Sequence, residues 1–332
     1  MNIFLTGGTG YIASHTAVVL IESGHKVVLF DNLSNSDASV LSSLEKITNK
    51  KIPFVEGDIR NFELLCKTLK EHKIDAVIHF AGLKAVAESV QDPLNYYDNN
   101  VVGSNNLIRA MQHNEIKKIV FSSSATVYGE PQYLPLDEEH PTNPINPYGR
   151  TKLFIEEILH DVAFSDPGWS VVVLRYFNPV GAHDSGLIGE SPKYPNNLMP
   201  YIVKVASGEL EILKIFGDDY ETGDGTCERD YIHVMDLAEG HLASLNFLEE
   251  HKGWHAINLG SGQSTSVLEL LKTFERVTHK KIPYEIIGRR EGDAAISYAK
   301  PNFANKKLHW KTKRSNEAIC YSAWKFKESQ SV

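Results

Sequence analysis

A glycine-rich turn between two short apolar runs is the feature that most constrains the fold of this chain. The first run, Asn2–Thr6, leads into a turn over residues 7–13 (GGTGYIA), and an amphipathic stretch then reaches a second run, Val27–Phe30. This order is typical of a strand, a tight turn, a helix and a parallel strand. Gly7 allows the tight turn, and Gly10 lets the backbone approach a pyrophosphate at the helix N-terminus. The sequence therefore predicts a dinucleotide-binding βαβ unit.

An acidic residue closes the second apolar run and indicates which dinucleotide is bound. Asp31 stands about 20 residues after the glycine turn, where a carboxylate binds both hydroxyls of an adenosine ribose. The same carboxylate would repel a 2′-phosphate, so the sequence predicts NAD rather than NADP. Ala13, in the third position of the glycine motif, is small enough for close packing of helix and strand.

Three further apolar runs each end in small or polar residues. They are residues 52–55, which lead to Asp58, residues 76–80, which lead to Ala81 and Gly82, and residues 119–121, which lead to Ser122–Ser124. Strand ends that line a ligand crevice have this composition. Helical segments between the runs complete repeated βαβ units, so we expect an α/β fold with a doubly wound parallel sheet of the Rossmann type. Asp58 is a candidate for binding the adenine amine, although an acid in a surface turn would give the same pattern.

The strict alternation of strands and helices weakens after about residue 176, and polar loops become longer. We expect residues 1–176 to form the NAD-binding domain, with later segments at about 229–260 returning to it. Residues 177–332 are expected to form mainly a smaller α/β domain that binds the substrate.

Tyr148 and Lys152 form the candidate catalytic pair. Pro147 suits the first turn of a helix, in which the two side chains would stand one turn apart on the same face. A nearby ammonium, together with an oxidised nicotinamide, would lower the pKa of the phenol and make it a useful proton carrier near neutral pH. A second pair with this spacing, Tyr321 and Lys325, lies close to a polar tail and is expected at the surface.

The composition excludes several classes of function. A net charge of −8 argues against broad nucleic-acid binding, because no basic face can replace the counterions. The three cysteines are far apart, so neither a disulfide framework nor a metal site is expected. No apolar run reaches the roughly 18 residues that a membrane span needs, and a first strand at Asn2 leaves no room for a signal peptide. We therefore expect a cytoplasmic protein with no membrane partner.

Arg229 and Arg290 are candidates for binding a diphosphate. Guanidinium groups hold phosphate oxygens in a bidentate way, and an acidic chain needs local cations to bind an anionic substrate. Solvated surface arginines would give the same pattern, so both interpretations stay open from the residues alone.

The glycine motif, the serines ahead of Ala125 and Thr126, and the Tyr148/Lys152 pair together resemble the extended short-chain dehydrogenase/reductase family. More closely, nearly the whole chain resembles the UDP-galactose 4-epimerases. The matching segments are residues 55–60, 79–86, 97–100, 175–182, 195–202, 229–236 and 289–293. The resemblance implies a tightly held NAD, UDP-sugar substrates, 4-epimerisation through a transient 4-keto sugar, and a homodimer formed through a helix bundle.

The resemblance also implies roles for individual residues. Tyr148, Lys152 and Ser124 are expected to be catalytic. The expected cofactor contacts are Gly7, Gly10, Tyr11, Ile12, Asp31, Asn32, Asp58, Ile59, Phe80, Ala81, Gly82, Lys84, Asn99, Ser122, Tyr148, Lys152 and Tyr176. The expected substrate contacts are Lys84, Ser124, Thr126, Tyr148, Phe177, Asn178, Asn197, Leu198, Phe216, Arg229, Arg290, Asp293 and Ser297.

Ser297 bears on the range of substrates. Family members restricted to unacetylated sugars are similar to one another in carrying a tyrosine at this position, whereas members that accept N-acetylhexosamines have a small residue. The resemblance therefore implies turnover of UDP-GlcNAc and UDP-GalNAc as well as UDP-Glc and UDP-Gal. The alternative is an epimerase restricted to UDP-Glc and UDP-Gal.

Two other functions are less favoured by the residues. A sugar-nucleotide 4,6-dehydratase would need an acid/base pair beside the serine, where this chain has Ala125 and Thr126. A non-catalytic NAD-binding scaffold could share the fold, but it would not need Ser124, Tyr148 and Lys152 together.

Overall fold

The structure of this chain is a computed structural model that describes residues 1–192, 195, 197–290 and 292–330. Asn196 and Glu291, which fall in two of the segments that carry the resemblance, lie outside the described residues. The strands are β1 Asn2–Thr6, β2 Lys26–Asp31, β3 Phe54–Glu56, β4 Ala76–His79, β5 Lys118–Ser124, β6 Ser170–Tyr176, β7 Asn178–Val180, β8 Leu213–Phe216, β9 Glu228–Arg229, β10 Tyr231–His233, β11 Gly253–Leu259, β12 Thr265–Ser266, β13 Tyr284–Ile287 and β14 Ile296–Ser297.

Helices fill most of the segments between these strands. The α-helices are α1 Tyr11–Glu22, α2 Ser39–Thr48, α3 Phe62–Glu71, α4 Val86–Gln91, α5 Pro93–Tyr96, α6 Gly103–His113, α7 Pro147–Ser165, α8 Leu198–Ala206, α9 Val234–Glu250, α10 Val267–Thr278, α11 Asn302–Lys307 and α12 Asn316–Gln330. A π-helix, Tyr97–Val102, joins α5 to α6, and a 3₁₀-helix, Ala125–Tyr128, follows β5. Of the helices in the described ranges, none is both long enough and apolar enough to cross a bilayer.

The central feature is a parallel sheet of seven of the described strands, in the order β11-β6-β5-β4-β1-β2-β3. Its middle strands β1, β4, β5 and β6 are almost entirely buried, as expected of a parallel sheet with helices on both faces. The strand order reverses between β1 and β4, so a crevice opens at the carboxyl ends of these strands. The predicted α/β fold with a doubly wound parallel sheet is confirmed.

The two faces of the sheet contribute to two separate hydrophobic cores. Successive side chains of β1 alternate between them, with Ile3 and Leu5 in one core and Phe4 in the other. Helices α1, α2 and α9 cover the first face, and α3, α6 and α7 cover the second. Helix α1 is buried from Ala13 to Ile21, because it is packed between the sheet and α9, where the sequence predicted an amphipathic helix.

A third core lies beside the main sheet and is formed by the later part of the chain. It joins α8, α10 and α12 to the β8–β13 pair, while β9 pairs with β12 and β14. Strand β11 returns to the main sheet, where Gly253 lies opposite Ser170 and Leu259 opposite Tyr176 on β6. The domain division into residues 1–176 with about 229–260, and mainly 177–332, stays a prediction.

Candidate active site

The glycine turn forms a backbone cradle at the start of α1. Gly7 has a φ of +64°, and a Cβ atom on it would lie 2.8 Å from the backbone nitrogen of Ala81. Gly10 precedes α1 and provides no side-chain cap, so the first N–H groups of the helix receive no capping acceptor from it. A helix N-terminus with open N–H groups and a close, side-chain-free approach fits the pyrophosphate of a dinucleotide. Tyr11 and Ile12 are the first residues of α1.

Asp31 is buried at the carboxyl end of β2, and its carboxylate is held by the surrounding loops. It accepts hydrogen bonds from Thr9 N at 3.2 Å, Leu33 N at 2.9 Å and Ser36 Oγ at 3.1 Å. A carboxylate has about four lone-pair sites, so acceptor capacity for about one further hydrogen bond remains. The structure therefore fixes the Asp31 carboxylate at the carboxyl end of β2, and its contact with an adenosine ribose stays a prediction.

A second acidic residue stands next to Asp31 at the neighbouring strand end. Asp58 accepts a hydrogen bond from Asn32 Nδ2 at 3.0 Å. It also accepts from the backbone nitrogen and from Nη2 of Arg60, each at 2.8 Å. Hydrogen bonding to Arg60 lowers the pKa of Asp58 to about 2, so this group is an ionised acceptor near neutral pH. Arg60 was not predicted from the sequence. Ile59 is buried between these two charged residues.

The segment after β4 contacts the π-helix through Asn100. Asn100 Oδ1 accepts from Leu83 N at 2.8 Å and from Asn99 Nδ2 at 2.9 Å, while its Nδ2 donates to Thr151 on α7 at 3.0 Å. Sequence reasoning selected Asn99 and missed Asn100, which is almost fully buried. Insertions of a π-turn often occur at functional sites, and here Asn100 on the π-helix links the segment after β4 to α7. The segment that follows β4 begins with Phe80, Ala81 and Gly82.

Helix α7 carries Tyr148 and Lys152 into the crevice. Asn146 caps its first turn by accepting from Gly149 N at 2.8 Å, and Pro147 occupies the first helical position, as predicted. The buried Lys152 donates from Nζ to the backbone oxygen of Ser122 at 2.7 Å. The same Nζ lies 5.9 Å from the centre of the Tyr148 ring and 4.9 Å from that of Phe121.

Burial has the largest effect on the pKa values of this pair. Burial raises the pKa of the Tyr148 phenol, and a hydrogen bond with Ser124 acts in the opposite direction. Burial also lowers the pKa of Lys152 to about 8, while the negative charge of Glu156 opposes this effect. Desolvation therefore has the larger effect on the phenol among the protein groups. A second positive charge, such as an oxidised nicotinamide, is needed to reverse this effect. The expectation that Lys152 and an oxidised nicotinamide together lower this pKa stays a prediction.

Ser124 ends β5 and faces the phenol of Tyr148. Its Oγ accepts a hydrogen bond from Thr126 N at 3.2 Å. Thr126 Oγ1 is buried and has no hydrogen-bond partner among the described residues. A buried hydroxyl without a hydrogen bond destabilises the fold, because its hydration is lost and not replaced. This atom is therefore suited to bind a polar group of a ligand.

Tyr176 and Phe177 follow β6 on the far side of the crevice. The Tyr176 hydroxyl bonds to Nε2 of His241, and burial raises the pKa of this tyrosine. The side chain of Phe177 packs in an apolar cluster with Val127 and Leu136. Phe177 is therefore 6% exposed, and its predicted substrate contact stays a prediction.

Four predicted substrate residues from three distant segments meet in one cluster. Asp293 lies 3.5 Å from Arg229 and 2.8 Å from Arg290, measured from its Oδ1 to the guanidinium nitrogens. Arg290 also lies 5.5 Å above the Phe216 ring. The Arg229 side chain is 18% exposed and that of Arg290 57% exposed, so the first is not a solvated surface arginine and the second is partly free to bind a ligand.

Ser297 lies next to this cluster because β14 pairs with β9 in parallel. Ser297 is in register with Arg229, and its backbone oxygen accepts from Asp230 N at 3.1 Å. Asn178 reaches the same region, since its N–H donates to Asp230 O at 2.9 Å. The sheet pairing therefore brings the residue predicted to control the acetyl group beside a residue predicted to bind the diphosphate.

Glu190 contacts two of the residues predicted to bind ligands. The sequence analysis did not predict Glu190 itself. Its Oε1 accepts from Asn197 Nδ2 at 2.9 Å and lies 3.4 Å from Lys84 Nζ. Asn197 precedes α8, and Leu198 begins that helix. An acid in a long polar loop gives no local signal of such a role, because Lys84 lies about a hundred residues away in the chain.

Tyr321, from the second Tyr-x-x-x-Lys pair, is 57% exposed on α12, and Lys325 donates to the backbone oxygen of Asp184. This agrees with the expectation that the second pair lies at the surface. The structure thus separates the two pairs by burial, and only Tyr148 and Lys152 stand at the crevice of the parallel sheet.

Comparison with known proteins identifies the family. The model of the NAD dependent epimerase/dehydratase family matches residues 3–260 of this chain. A UDP-glucose 4-epimerase from Neisseria meningitidis serogroup C is 52% identical over 327 residues, which cover 98% of this chain and 96% of that protein.

Solved structures agree with this match. The UDP-glucose-4-epimerase from Stenotrophomonas maltophila, with bound NAD and formylated UDP-arabinopyranose, has a TM-score of 0.98 and 48% identity, covering 100% of this chain and 99% of that one. The UDP-Glc/GlcNAc 4-epimerase from Campylobacter jejuni has a TM-score of 0.86 and 36% identity, covering 99% of each chain. These findings confirm the resemblance that the motifs indicated: the chain belongs to the NAD dependent epimerase/dehydratase family.

Proposed function

We propose that this protein is a 4-epimerase that interconverts UDP-glucose and UDP-galactose, with NAD as its cofactor. The observation that carries the proposal is the convergence of Ser124, Tyr148 and Lys152 at the carboxyl end of β5. Membership of an NAD dependent family and the high identity to a UDP-glucose 4-epimerase over nearly the whole chain support the same activity.

The residues present would share the chemistry as follows. Bound NAD would supply the acceptor and donor of the hydride exchanged with C4 of the hexose. Tyr148 takes the proton of the 4-hydroxyl group during oxidation and gives it back during reduction. Ser124 hydrogen-bonds the same oxygen, and Lys152 supplies a fixed positive charge that favours the phenolate. The open N-terminus of α1 and the Asp31 carboxylate would hold the pyrophosphate and the adenosine ribose.

Epimerisation requires that both faces of the 4-keto sugar reach the same reacting groups. The nucleotide half can stay bound by Phe216, Arg229 and Arg290, since a guanidinium suits a diphosphate and an aromatic ring suits a base. The sugar can then turn about its diphosphate link while Tyr148 stays in place. Asp293 orients both arginines and would compete with the phosphates for them until the substrate binds.

We also propose that the N-acetylated pair, UDP-GlcNAc and UDP-GalNAc, is accepted. Ser297 is small and partly buried, and strand pairing holds it beside Arg229. A serine leaves room for a 2-acetamido group that a tyrosine would fill. The Campylobacter jejuni relative, which acts on both kinds of sugar, shares the fold over nearly the whole chain.

The activity is tested by incubating the purified protein with UDP-Gal and no added reductant, and analysing the products by NMR. An epimerase gives an equilibrium mixture of UDP-Gal and UDP-Glc. A dehydratase gives a 4-keto-6-deoxy sugar nucleotide, and a non-catalytic scaffold leaves UDP-Gal unchanged. Either of the last two results would overturn the proposed activity.

We propose in addition that the protein works in the cytoplasm as a homodimer formed through α4, α5 and α7. These helices pack together and expose Val90, Leu94 and Phe154, of which Leu94 is 79% exposed. Exposed apolar side chains on adjoining helices are typical of an interface. Light scattering of the native protein and of Leu94→Asp tests this. We expect the native protein to be a dimer and the variant to be a monomer. A native monomer would contradict it.

A further inference from the structure

Three consecutive serines at the end of β5 contact three successive turns of α7. The three α7 residues stand at positions i, i+4 and i+8, so they share one face of the helix. The contacts are Ser122 O with Lys152 Nζ, the Ser123 hydroxyl with the Glu156 carboxylate, and the Ser124 hydroxyl with the Tyr148 phenol. The strand end that carries one catalytic group is therefore joined to the helix that carries the other two.

Glu156 is the member of this set with the most extensive contacts. It is 1% exposed, and besides Ser123 it binds Arg175 on β6, with Arg175 Nη2 at 2.7 Å and Nε at 3.2 Å. Arg175 Nη1 also donates to Tyr128 OH at 3.2 Å, and Tyr128 donates to Asn258 Oδ1 at 2.6 Å. A buried ion pair that is also hydrogen-bonded on its other sides has little freedom to rearrange.

The charges in this buried group bear on the proposed reaction. Lys152 and Arg175 are positive and Glu156 is negative, so the group carries one surplus positive charge while Tyr148 is neutral. Loss of the phenol proton from Tyr148 would bring the four groups to electrical neutrality. Charge interactions are strong in a desolvated interior. The negative charge of Glu156 therefore offsets the repulsion between the two buried cations, and one positive charge remains.

We propose that Glu156 is a positioning residue for the epimerase reaction: held by Ser123 and Arg175, it fixes α7 against the end of β5 and keeps the Lys152 ammonium charged while Tyr148 exchanges its proton. This inference rests on the proposed function. Glu156 does not touch the crevice groups that would meet the substrate, so it acts through Lys152 and through the placement of Ser124.

The other titratable groups that face Lys152 and Tyr148 are expected to be neutral in the working range of pH. Burial, with Lys152 adding to it, lowers the pKa of His79 on β4 to about 3. Burial raises the pKa values of Tyr176 on β6 and of Tyr96 on α5. Glu156 is thus the carboxylate whose charge opposes the effect of burial on the pKa of Lys152.

The test is steady-state kinetics with UDP-Gal, as a function of pH, on Glu156→Gln, Glu156→Asp and Ser123→Ala. Glu156→Gln is expected to lower kcat about 10- to 100-fold with little change in KM, because misplacement affects the chemical step. It should also move the alkaline limb of the kcat profile to lower pH by about one unit, because Lys152 loses its carboxylate neighbour. Glu156→Asp keeps the negative charge, so the alkaline limb should return to its native pH. Its shorter side chain should leave kcat below the native value.

Two matched controls separate positioning from folding. Asp236→Asn removes a buried carboxylate paired with Arg314, and Ser244→Ala removes a buried hydroxyl on α9. Asp236→Asn should lose stability without moving the alkaline limb, and Ser244→Ala should keep the native kcat. If Glu156→Gln does not fold, Ser123→Ala carries the test, with a several-fold loss of kcat at constant KM expected. Native activity in Ser123→Ala, or an unmoved limb in a folded Glu156→Gln, would overturn the proposal.

An NMR titration of carbon-13-labelled lysine in the native protein and in Glu156→Gln separates this proposal from the proposed function. The pKa of Lys152 should be lower in the variant, whether or not the protein turns over UDP-Gal. A lower pKa with an inactive native protein would reject the epimerase activity but keep the electrostatic role of Glu156. An unchanged pKa would reject that role even in an active epimerase.

Discussion

Lys152 and Ser122 are joined by a buried hydrogen bond of 2.7 Å, from the lysine Nζ to the serine backbone oxygen. The lysine is therefore oriented by the protein itself. Burial nevertheless lowers the pKa of Lys152 to about 8 and raises that of Tyr148. At neutral pH the lysine therefore keeps most of its charge while the phenol keeps its proton. We expect the tyrosine to become a useful base only when the cofactor adds a second positive charge. The acidity of Tyr148 is in this sense a property of the complex.

Removal of the phenol hydroxyl should nearly abolish activity. We expect Tyr148→Phe to reduce kcat by about 10²–10⁴-fold, the usual contribution of a general acid–base group. NAD content should stay close to native, since the ring is retained. Rates with UDP-Gal and the absorbance of bound cofactor measure the two quantities. Tyr321→Phe is the matched control from the exposed pair and should be fully active; a fully active Tyr148→Phe would contradict the assignment.

A larger side chain at position 297 should narrow the substrate range. We expect Ser297→Tyr to lose turnover of UDP-GalNAc while turnover of UDP-Gal is retained, because the ring would occupy the space for the 2-acetamido group. Product analysis with both substrates measures the ratio. Ser297→Ala keeps the residue small and should act on both. If the native protein does not convert UDP-GalNAc, the proposed breadth is rejected.

Gly7 should not tolerate a side chain. Its φ of +64° is unfavourable for other residues, and a Cβ would lie 2.8 Å from Ala81 N and 2.9 Å from Ala81 Cα, both backbone atoms. We expect Gly7→Ala to lower the free energy of unfolding by more than about 1–3 kcal/mol and to reduce the bound NAD.

Gly24 provides the control for this backbone clash. It also has a positive φ, of +88°, but no described atom lies within 4 Å of a Cβ built there. Gly24→Ala should therefore show only the conformational cost of about 1 kcal/mol and should bind NAD normally. Chemical denaturation of both variants gives the comparison, and equal losses in the two would argue against steric contact at Gly7.

The buried His79 should make the fold sensitive to acid. Burial lowers its pKa to about 3 in the folded state, against about 6.5 in an unfolded chain. Between these values the unfolded chain binds a proton that the folded protein does not. The free energy of unfolding should therefore fall as pH decreases below about 6.5, by about 1.4 kcal/mol per pH unit for this group.

Replacement of His79 by a residue that does not titrate tests this contribution. His79→Gln can keep hydrogen bonds to Thr6 and Ser104, the partners of the ring nitrogens. Chemical denaturation across the acid range gives the free energy of unfolding as a function of pH. The slope of this dependence should be smaller in the variant by about 1.4 kcal/mol per pH unit. His160→Gln, at an exposed site, should leave the slope unchanged. An unaltered slope in His79→Gln would mean that other groups dominate acid unfolding.

Local patterns made much of the site predictable. The glycine turn, the acid that ends β2 and the proline before Tyr148 depend on neighbours within one turn or strand, so their signals are contained in short stretches of sequence. Asn100 and Glu190 had no such signal. Asn100 is directed by a π-helix, and Glu190 contacts Lys84, which is distant in the chain, together with Asn197. Contacts of this kind exist only after the chain has folded.

The sequence by itself determined the periodicity of the sheet and helices, the positions that need glycine, and the one-turn spacing of Tyr148 and Lys152, because these follow from backbone geometry over a few residues. Only the tertiary structure decided the charge states and the partners. Desolvation depends on every element packed around a group, and it moves the pKa of Tyr148 in the direction opposite to that expected from its near neighbour alone. The same holds for Glu156, whose significance appears only when β5 and β6 bring Ser123 and Arg175 to it.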